Sequence, residues 1–173
     1  MDSTGLKSRA QLQLLIDRIP FAKGLGFFVA KAEGRVVSIG VSPQQQHRNH
    51  FGTYQAGVLF ALAEITGGLA LYTLLSEPHL LIIAKTGKID FLGNSHGAIF
   101  SESELTEDSI SSISSTIARH KKLEFPVAVR LKSKDDQLLV VAQITYYIRI
   151  TARPFELQLQ KMQVRQLSPP HSL

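Results

Sequence analysis

"NHFGTYQAGVLFALAEITGGLALYTLL", residues Asn49–Leu75, decides the reading of this chain. From Tyr54 onward it is apolar on nearly every side, yet Glu64 stands near its middle. A bilayer span needs about 20 mainly apolar residues, and Tyr54–Leu75 is long enough. It also holds Gln55, Thr66 and Thr73 beside Glu64, and no basic flank fixes an orientation. A carboxylate at mid-membrane depth is strongly disfavoured. The stretch is therefore expected to be a core helix rather than a membrane span, apolar all round because something wraps it.

The wrapping is legible on both sides. "GFFVAKAEGRVVSIGVSP" reads as two short strands about a turn at Glu33-Gly34. After the helix come "HLLIIAKTGKIDFLG", "GAIFSESEL" and the hairpin "PVAVRLKSKDDQLLVVAQITYYIRI", which turns at "SKDDQ". In its second arm Ala142, Ile144, Tyr146, Ile148 and Ile150 alternate with Gln143, Thr145, Tyr147, Arg149 and Thr151, one face in and one face out. Two more helices are expected. One carries the stripe Leu12, Leu15, Ile16 and Ile19 and stops at Pro20. The other is "TEDSISSISSTIARHKK", with Thr106 as cap, acids in its first turn and cations in its last. The order predicts an α+β fold, one antiparallel sheet curled around one long central helix. Residues 1–173 read as a single domain: an N-terminal helix over 1–20, a core over 26–151 with a helical insertion near 106–122, and a tail over 152–173 that lies on the body or frays.

Composition narrows the chemistry. With no cysteine, thiolate nucleophiles, disulfides and cysteine-held metals are excluded. Lysines and arginines exceed acids by five, scattered rather than clustered. No basic stripe interleaved with aromatics is present, so nucleic acid is not an expected partner. "MDSTGLKSRAQLQLLIDRIP" lacks the apolar centre of an export signal, which makes the cytoplasm the default compartment.

The run "NHFGTYQAGVLFALAE" resembles the signature of hotdog-fold acyl-CoA thioesterases of the phenylacetate-pathway type. Those proteins carry an asparagine, a Gly-Thr, a His-Gly-Gly at the helix start and a Leu-x-Asp/Glu on the helix. Asn49 matches the asparagine, Gln55-Ala56-Gly57 falls on the His-Gly-Gly, and Glu64 falls on the acid, fifteen residues from the asparagine and nine from the histidine position. "KIDFLGNSHGAIF" resembles the third and fourth strands of that fold, and the likeness covers 26–149. Gln55 replaces the histidine, Ala56 replaces one glycine, Asn94-Ser95 replaces the usual proline-alanine, and the serine-rich helix is an addition.

The resemblance implies a hotdog fold, a homodimer or dimer of dimers, and hydrolysis of an acyl-CoA or other acyl thioester. No cofactor is implied beyond the coenzyme A moiety of the substrate itself. A non-catalytic acyl-ligand-binding protein using the same cleft is the alternative. A hotdog hydratase expects an Asp/His pair, which Gln55 does not supply.

Elementary chemistry runs beside the resemblance. The first amides of a helix lack internal partners and sit at its positive end. Near Gln55, Ala56 and Gly57 they are candidates for polarising a thioester carbonyl, unless Thr53 caps them. Glu64 lies eight residues from Ala56, about 12 Å along a helix, too far for both to reach one carbonyl within a chain. Two chains whose helices face each other overcome that distance, and the family's sites are built that way. Glu64 is then the base that activates water, or the nucleophile; the bland alternative is a structural acid paired with Lys85 or Arg130. Asn49 is expected to orient water or carbonyl, or else simply to shape the turn before Gly52. Gln55 donates a hydrogen bond but shuttles no proton. Thr86, Lys85, Phe60 and His50 are the expected substrate contacts, with Thr86 also a candidate for positioning the water. Lys85, Lys88, Arg130 and Lys132 are expected to attract a phosphate-bearing carrier weakly.

Three other patterns lead elsewhere. "GNSHG", Gly93–Gly97, matches G-x-S-x-G, but a strand rather than a helix is expected after it. His47 and His50 have an H-x-x-H spacing without a third ligand nearby. The Gly67-Gly68 pair is expected to let another element approach the helix closely.

Overall fold

The computed structural model describes residues 7–75 and 79–151. In chain order it carries helices α1 (Arg9–Asp17) and α2 (Pro20–Gly24), strands β1 (Phe27–Glu33) and β2 (Val36–Val41), the long helix α3 (Ala56–Leu74), strands β3 (Leu80–Phe91) and β4 (Ile99–Glu104), helix α4 (Glu107–His120), and strands β5 (Lys122–Ser133) and β6 (Leu138–Ile150). The six strands form one antiparallel sheet in the order β1-β2-β4-β5-β6-β3. The expected hotdog arrangement is what the chain adopts: α3 packs against β2, β3, β4, β5 and β6 at once. By length and composition α3 would also cross a membrane, but here it is the filling of the sheet, with Leu62, Ala63, Ala70 and Leu71 fully buried.

The local causes are simple. Ser8 and Gln11 close a reciprocal capping box at the start of α1. Pro20 does not merely stop that helix. It occupies the first turn of α2, where its missing N–H and fixed φ cost nothing, so the chain turns a corner and starts again. In β6 Ala142, Ile144, Tyr146 and Ile148 are buried, alternating as expected with Gln143, Tyr147 and Arg149. α4 begins at the Thr106 cap and buries Ile113 and Ile117 against the β5–β6 side of the sheet. Polar ties run through the core as well: Ser101 meets the Thr66 hydroxyl, donates to the Ile39 carbonyl at 3.1 Å, and so links α3, β4 and β2. The tail expected over 152–173 lies outside the described residues.

The two edges of the sheet differ. On β1 the α1 side chains take over outward backbone groups of Phe27 and Val29. Arg9 donates to the Val29 carbonyl at 2.7 Å, and Gln13 accepts the Val29 N–H at 2.8 Å while donating to the Phe27 carbonyl at 3.3 Å. β3 is twelve residues long and, among the described residues, pairs only with β6. Its register slips between Ala84 and Thr86, a bulge that leaves Lys85 unpaired in the ladder.

Candidate functional site

The 12 residues from Pro43 to Tyr54 aim the start of α3. A short 3-10 turn over Gln45–His47 leads into a loop closed by an Arg48–Tyr54 bridge. Asn49 organises that loop. Its Oδ1 accepts the amides of Phe51 at 2.9 Å and Thr53 at 3.2 Å, and its Nδ2 donates to the Thr53 hydroxyl at 2.9 Å and the Tyr54 carbonyl at 3.2 Å. Its side chain is thus committed to the turn, which makes it a positioning residue. Thr53 answers to Asn49 and does not cap α3. The N-cap is Gln55, which makes no side-chain capping bond. The Gln55 N–H goes to the His47 carbonyl at 2.7 Å, and the Val58 and Leu59 amides reach back to the Gln55 carbonyl. Among the described residues, the amides of Ala56 and Gly57 find no acceptor; both residues are exposed. The helix therefore presents two donors outward at its positive end.

His47 is fully buried, its ring stacked on Tyr54 with centroids 5.9 Å apart. It faces the carbonyls of Ser42 and Leu25, yet neither ring nitrogen closes a hydrogen bond of normal geometry. Burial pulls its pKa below the ordinary histidine value. His50 instead lies outside against Phe51, ring centroids 3.9 Å apart. The two histidines diverge, so their H-x-x-H spacing brings no pair of nitrogens together. "GNSHG" is the loop between β3 and β4, where Ser95 accepts the Gly97 amide at 3.1 Å and a strand follows, as expected.

Along α3 one stripe stays open. Ala56, Gly57 and Phe60 are exposed, and Glu64, Gly68 and Tyr72 are half-buried, at the four-residue spacing of one helix face. The other faces are buried in the sheet. Glu64 lies on this stripe at the edge of a cleft of about 290 Å³ whose walls include Leu15, Ile19, Phe21, Leu69 and Ile82. The apolar walls push the Glu64 carboxyl above the ordinary carboxylate pKa through burial. No cation answers it among the described residues: Lys85 pairs with Glu124, and Arg130 lies exposed on β5 between the inward Val129 and Leu131. The expected alternative, a structural pair with Lys85 or Arg130, does not form among the described residues.

Beneath Glu64 lies a residue that sequence reading placed only as an inward strand position. The Tyr146 phenol, buried under the helix, donates to the Glu64 carbonyl. Burial, then the negative charge of Glu64, pushes this phenol far above its ordinary pKa, so it remains a donor. The signal for it was present: an inward tyrosine on a strand opposite paired glycines on a helix.

A second cleft, of about 260 Å³, sits at the helix start between Asn49, His50, Gln55 and Ala56 and the β3–β4 loop, with Phe91 and Asn94 on its wall. Within one chain, then, Asn49, His50, Gln55 and Ala56 come together and Glu64 stands apart at the other cleft. Phe60, 37% exposed, lies between them over Gly87. Thr86 and Lys85 line neither cleft. Thr86 pairs with Thr145, which lies between the inward residues Ile144 and Tyr146 and so faces outward. Lys88 and Lys132 hold Asp90 and Asp136 at 3.3 and 2.7 Å, which leaves the expected cationic surface largely neutralised.

Comparison with known proteins agrees with this architecture. The family model "Domain of unknown function (DUF4442)" matches residues 7–148. No curated protein sequence matches the chain. Among solved structures, a Pseudomonas aeruginosa protein of unknown function described as a "Probable Thioesterase" is similar at TM-score 0.76 and 22% identity, over 84% of this chain and 98% of its own. A Haemophilus influenzae thioesterase is similar at TM-score 0.69 and 14% identity, over 85% and 94%. A mutant thioesterase from Pseudomonas aeruginosa is similar at TM-score 0.68 and 13% identity, over 84% and 96%. At these identities the likeness is one of fold, and the fold is the hotdog.

Proposed function

The chain belongs to the DUF4442 family, and from that premise we propose that it is a thioesterase acting on an acyl-CoA or related acyl thioester, with its site completed across a homodimer. One observation carries the reading: Glu64, a half-buried carboxylate with no cation beside it among the described residues, shares an open helix stripe with the amides of Ala56 and Gly57, which find no acceptor among those residues. Phe60 lies four residues from each of Ala56 and Glu64. Two antiparallel copies of α3 crossing at Phe60 set Ala56 of each opposite Glu64 of the other. The bare β3 edges are the natural partners for such a pairing.

In that arrangement the thioester carbonyl lies on the Ala56 and Gly57 amides of one copy, and a water lies on Glu64 of the other. Glu64 removes a proton as the water oxygen adds to the carbonyl carbon. The amides hold the resulting oxyanion. Collapse breaks the carbon–sulfur bond, and the proton held by Glu64 returns to the thiolate, giving acid and thiol. An elevated carboxyl pKa suits this exchange, since the same group accepts and then returns the proton. Gln55 adds a hydrogen-bond donor beside the amides.

Gln55 and Ala56 also motivate the second reading, a binding protein without turnover, because they stand where the resembled family has histidine and glycine. A hydrolysis screen over short, medium, long and aromatic acyl-CoA esters, run on the parent and on Glu64→Gln, decides. Turnover lost with Glu64→Gln supports the hydrolase; a parent inert to every ester, or a variant as active as the parent, rejects it.

A further inference from the structure

The cleft beside Glu64 is not shaped like a general opening. It runs from Glu64 toward the far end of α3, past Ile65, Gly68 and Leu69 to Tyr72, with Leu80 and Ile82 of β3 on one side. Glu64 to Tyr72 is eight residues, about 12 Å of helix. The opposite wall is built by α1 and the start of α2, through Leu15, Ile19 and Phe21. Phe21 is 63% exposed, a large aromatic kept at the rim rather than in the core. At the far end Tyr72 is held by Lys7, whose ammonium sits 3.9 Å from the ring centroid and donates to the Tyr72 carbonyl at 3.2 Å. The polar groups gather at the other end, where Glu64 lies above the Tyr146 phenol. A ligand that fits has an apolar body and its reactive end beside Glu64.

We propose that this cleft is the acyl site, that it takes an aliphatic chain of about eight to twelve carbons, and that α1 and α2 set the limit through Ile19 and Phe21. The size follows from comparison with cavities of about 150 Å³ that hold benzene; the cleft of about 290 Å³ holds roughly twice that. The assignment rests on the thioesterase reading for its placement of the reactive end at Glu64. Its consequence in two copies is a division of labour: the subunit that supplies Glu64 also holds the acyl chain, while its partner supplies the amides and the cleft toward which the carrier leaves.

Gly68 gives a clean probe. A Cβ there meets Tyr146 at 3.5 Å, ordinary contact, so a larger side chain extends into the cleft without forcing the helix off the sheet. Phe21→Ala, on an exposed rim, alters the opposite wall and leaves α3 untouched. The experiment is titration calorimetry of parent, Gly68→Leu and Phe21→Ala with non-hydrolysable S-alkyl thioethers of coenzyme A and of pantetheine, from two to sixteen carbons. In the parent, affinity should rise by up to about fourfold per methylene and level off near ten to twelve carbons. In Gly68→Leu the rise should stop by about six carbons. Phe21→Ala should lose several-fold at ten carbons and little at four. Affinity that does not depend on chain length, a rise that continues undiminished in both variants, or no binding of any thioether overturns the proposal. Binding is read without turnover, so the two readings fail separately. A chain-length rise in a protein that hydrolyses nothing leaves the acyl site standing and removes the hydrolase. Hydrolysis with length-independent affinity does the reverse.

Discussion

Gly67 is the point at which Tyr146 meets the long helix: a Cβ at Gly67 would lie 2.6 Å from the Tyr146 hydroxyl oxygen, while one at Gly68 would lie 3.5 Å from the ring. The contact lets the phenol pass under the helix and reach the Glu64 carbonyl. Gly67→Ala should therefore destabilise by about 1–3 kcal/mol, as overpacked core sites do. Gly68→Ala should be neutral or stabilising by up to about 1 kcal/mol, the helix-propensity gain over glycine. Tyr146→Phe removes the clashing oxygen, so Gly67→Ala should cost less in that background. Thermal melts of the four proteins and the double variant check this, and additive costs would contradict the contact.

Glu64→Gln should reduce turnover by about two orders of magnitude or more without lowering stability, because no cation among the described residues is orphaned. Its pH dependence has a definite sign. Burial raises the carboxyl pKa in the fold above its ordinary 4.5, so the folded state binds this proton more tightly than the unfolded state. Stability contributed by the carboxyl is present below 4.5 and is lost as pH rises through the folded value. The parent should thus fall behind Glu64→Gln as pH rises through that window. Denaturant midpoints from pH 4 upward read it directly. Lower stability of the variant at neutral pH would point instead to a hidden partner for Glu64.

His47 should act in the opposite direction. Burial lowers its pKa below 6.5, so the fold holds the neutral ring and the unfolded chain takes up the proton first. Its stabilising share is complete above 6.5 and declines as pH falls below it, down to the folded value. His47→Phe keeps a ring against Tyr54 and removes the titration. Comparing denaturant midpoints at pH 5 and pH 8, the variant should lose less stability on acidification than the parent. Equal losses would show that His47 is not the group responsible.

Phe60 lies at the proposed crossing of two helices. Phe60→Asp should shift sedimentation from dimer toward monomer and reduce hydrolysis in step with the lost dimer. A variant that sediments as monomer and retains full turnover would show that one chain suffices.

The fold was readable because its two strongest signals are periodic. The all-apolar run of α3 demanded wrapping, and the alternation through β6 named the face that does it. The site was readable only in part, and each failure has a physical cause. A regular β3 would turn Leu80, Ile82, Ala84 and Thr86 to one face; the bulge after Ala84 gives that place to Gly87 and turns Thr86 outward. No composition marks such a bulge. Leu15 and Ile19 were visible as an apolar stripe, but their place opposite Glu64 depends on the corner at Pro20 and on docking far along the chain. For Asn49 two uses were open, orienting water or carbonyl and shaping the turn; four local donors and acceptors engage its side chain in the turn, and no sequence pattern marks them. Among candidate acids, Glu64 was visible for the plainest reason, a charged group in a helix with almost no others.

Arg9 and Gln13 have an effect on the fate of the molecule at high concentration. A sheet with two sticky margins propagates, each added copy exposing a fresh margin for the next, and the product is a filament. Here the Phe27–Val29 start of one margin is already occupied by side chains of the same chain, and among the described residues β3 is the longer margin left to recruit. Joining two copies through β3 consumes the recruiting margin of both. In the proposed homodimer, growth through β3 then ends at two, and the first helix narrows what is left of the other margin.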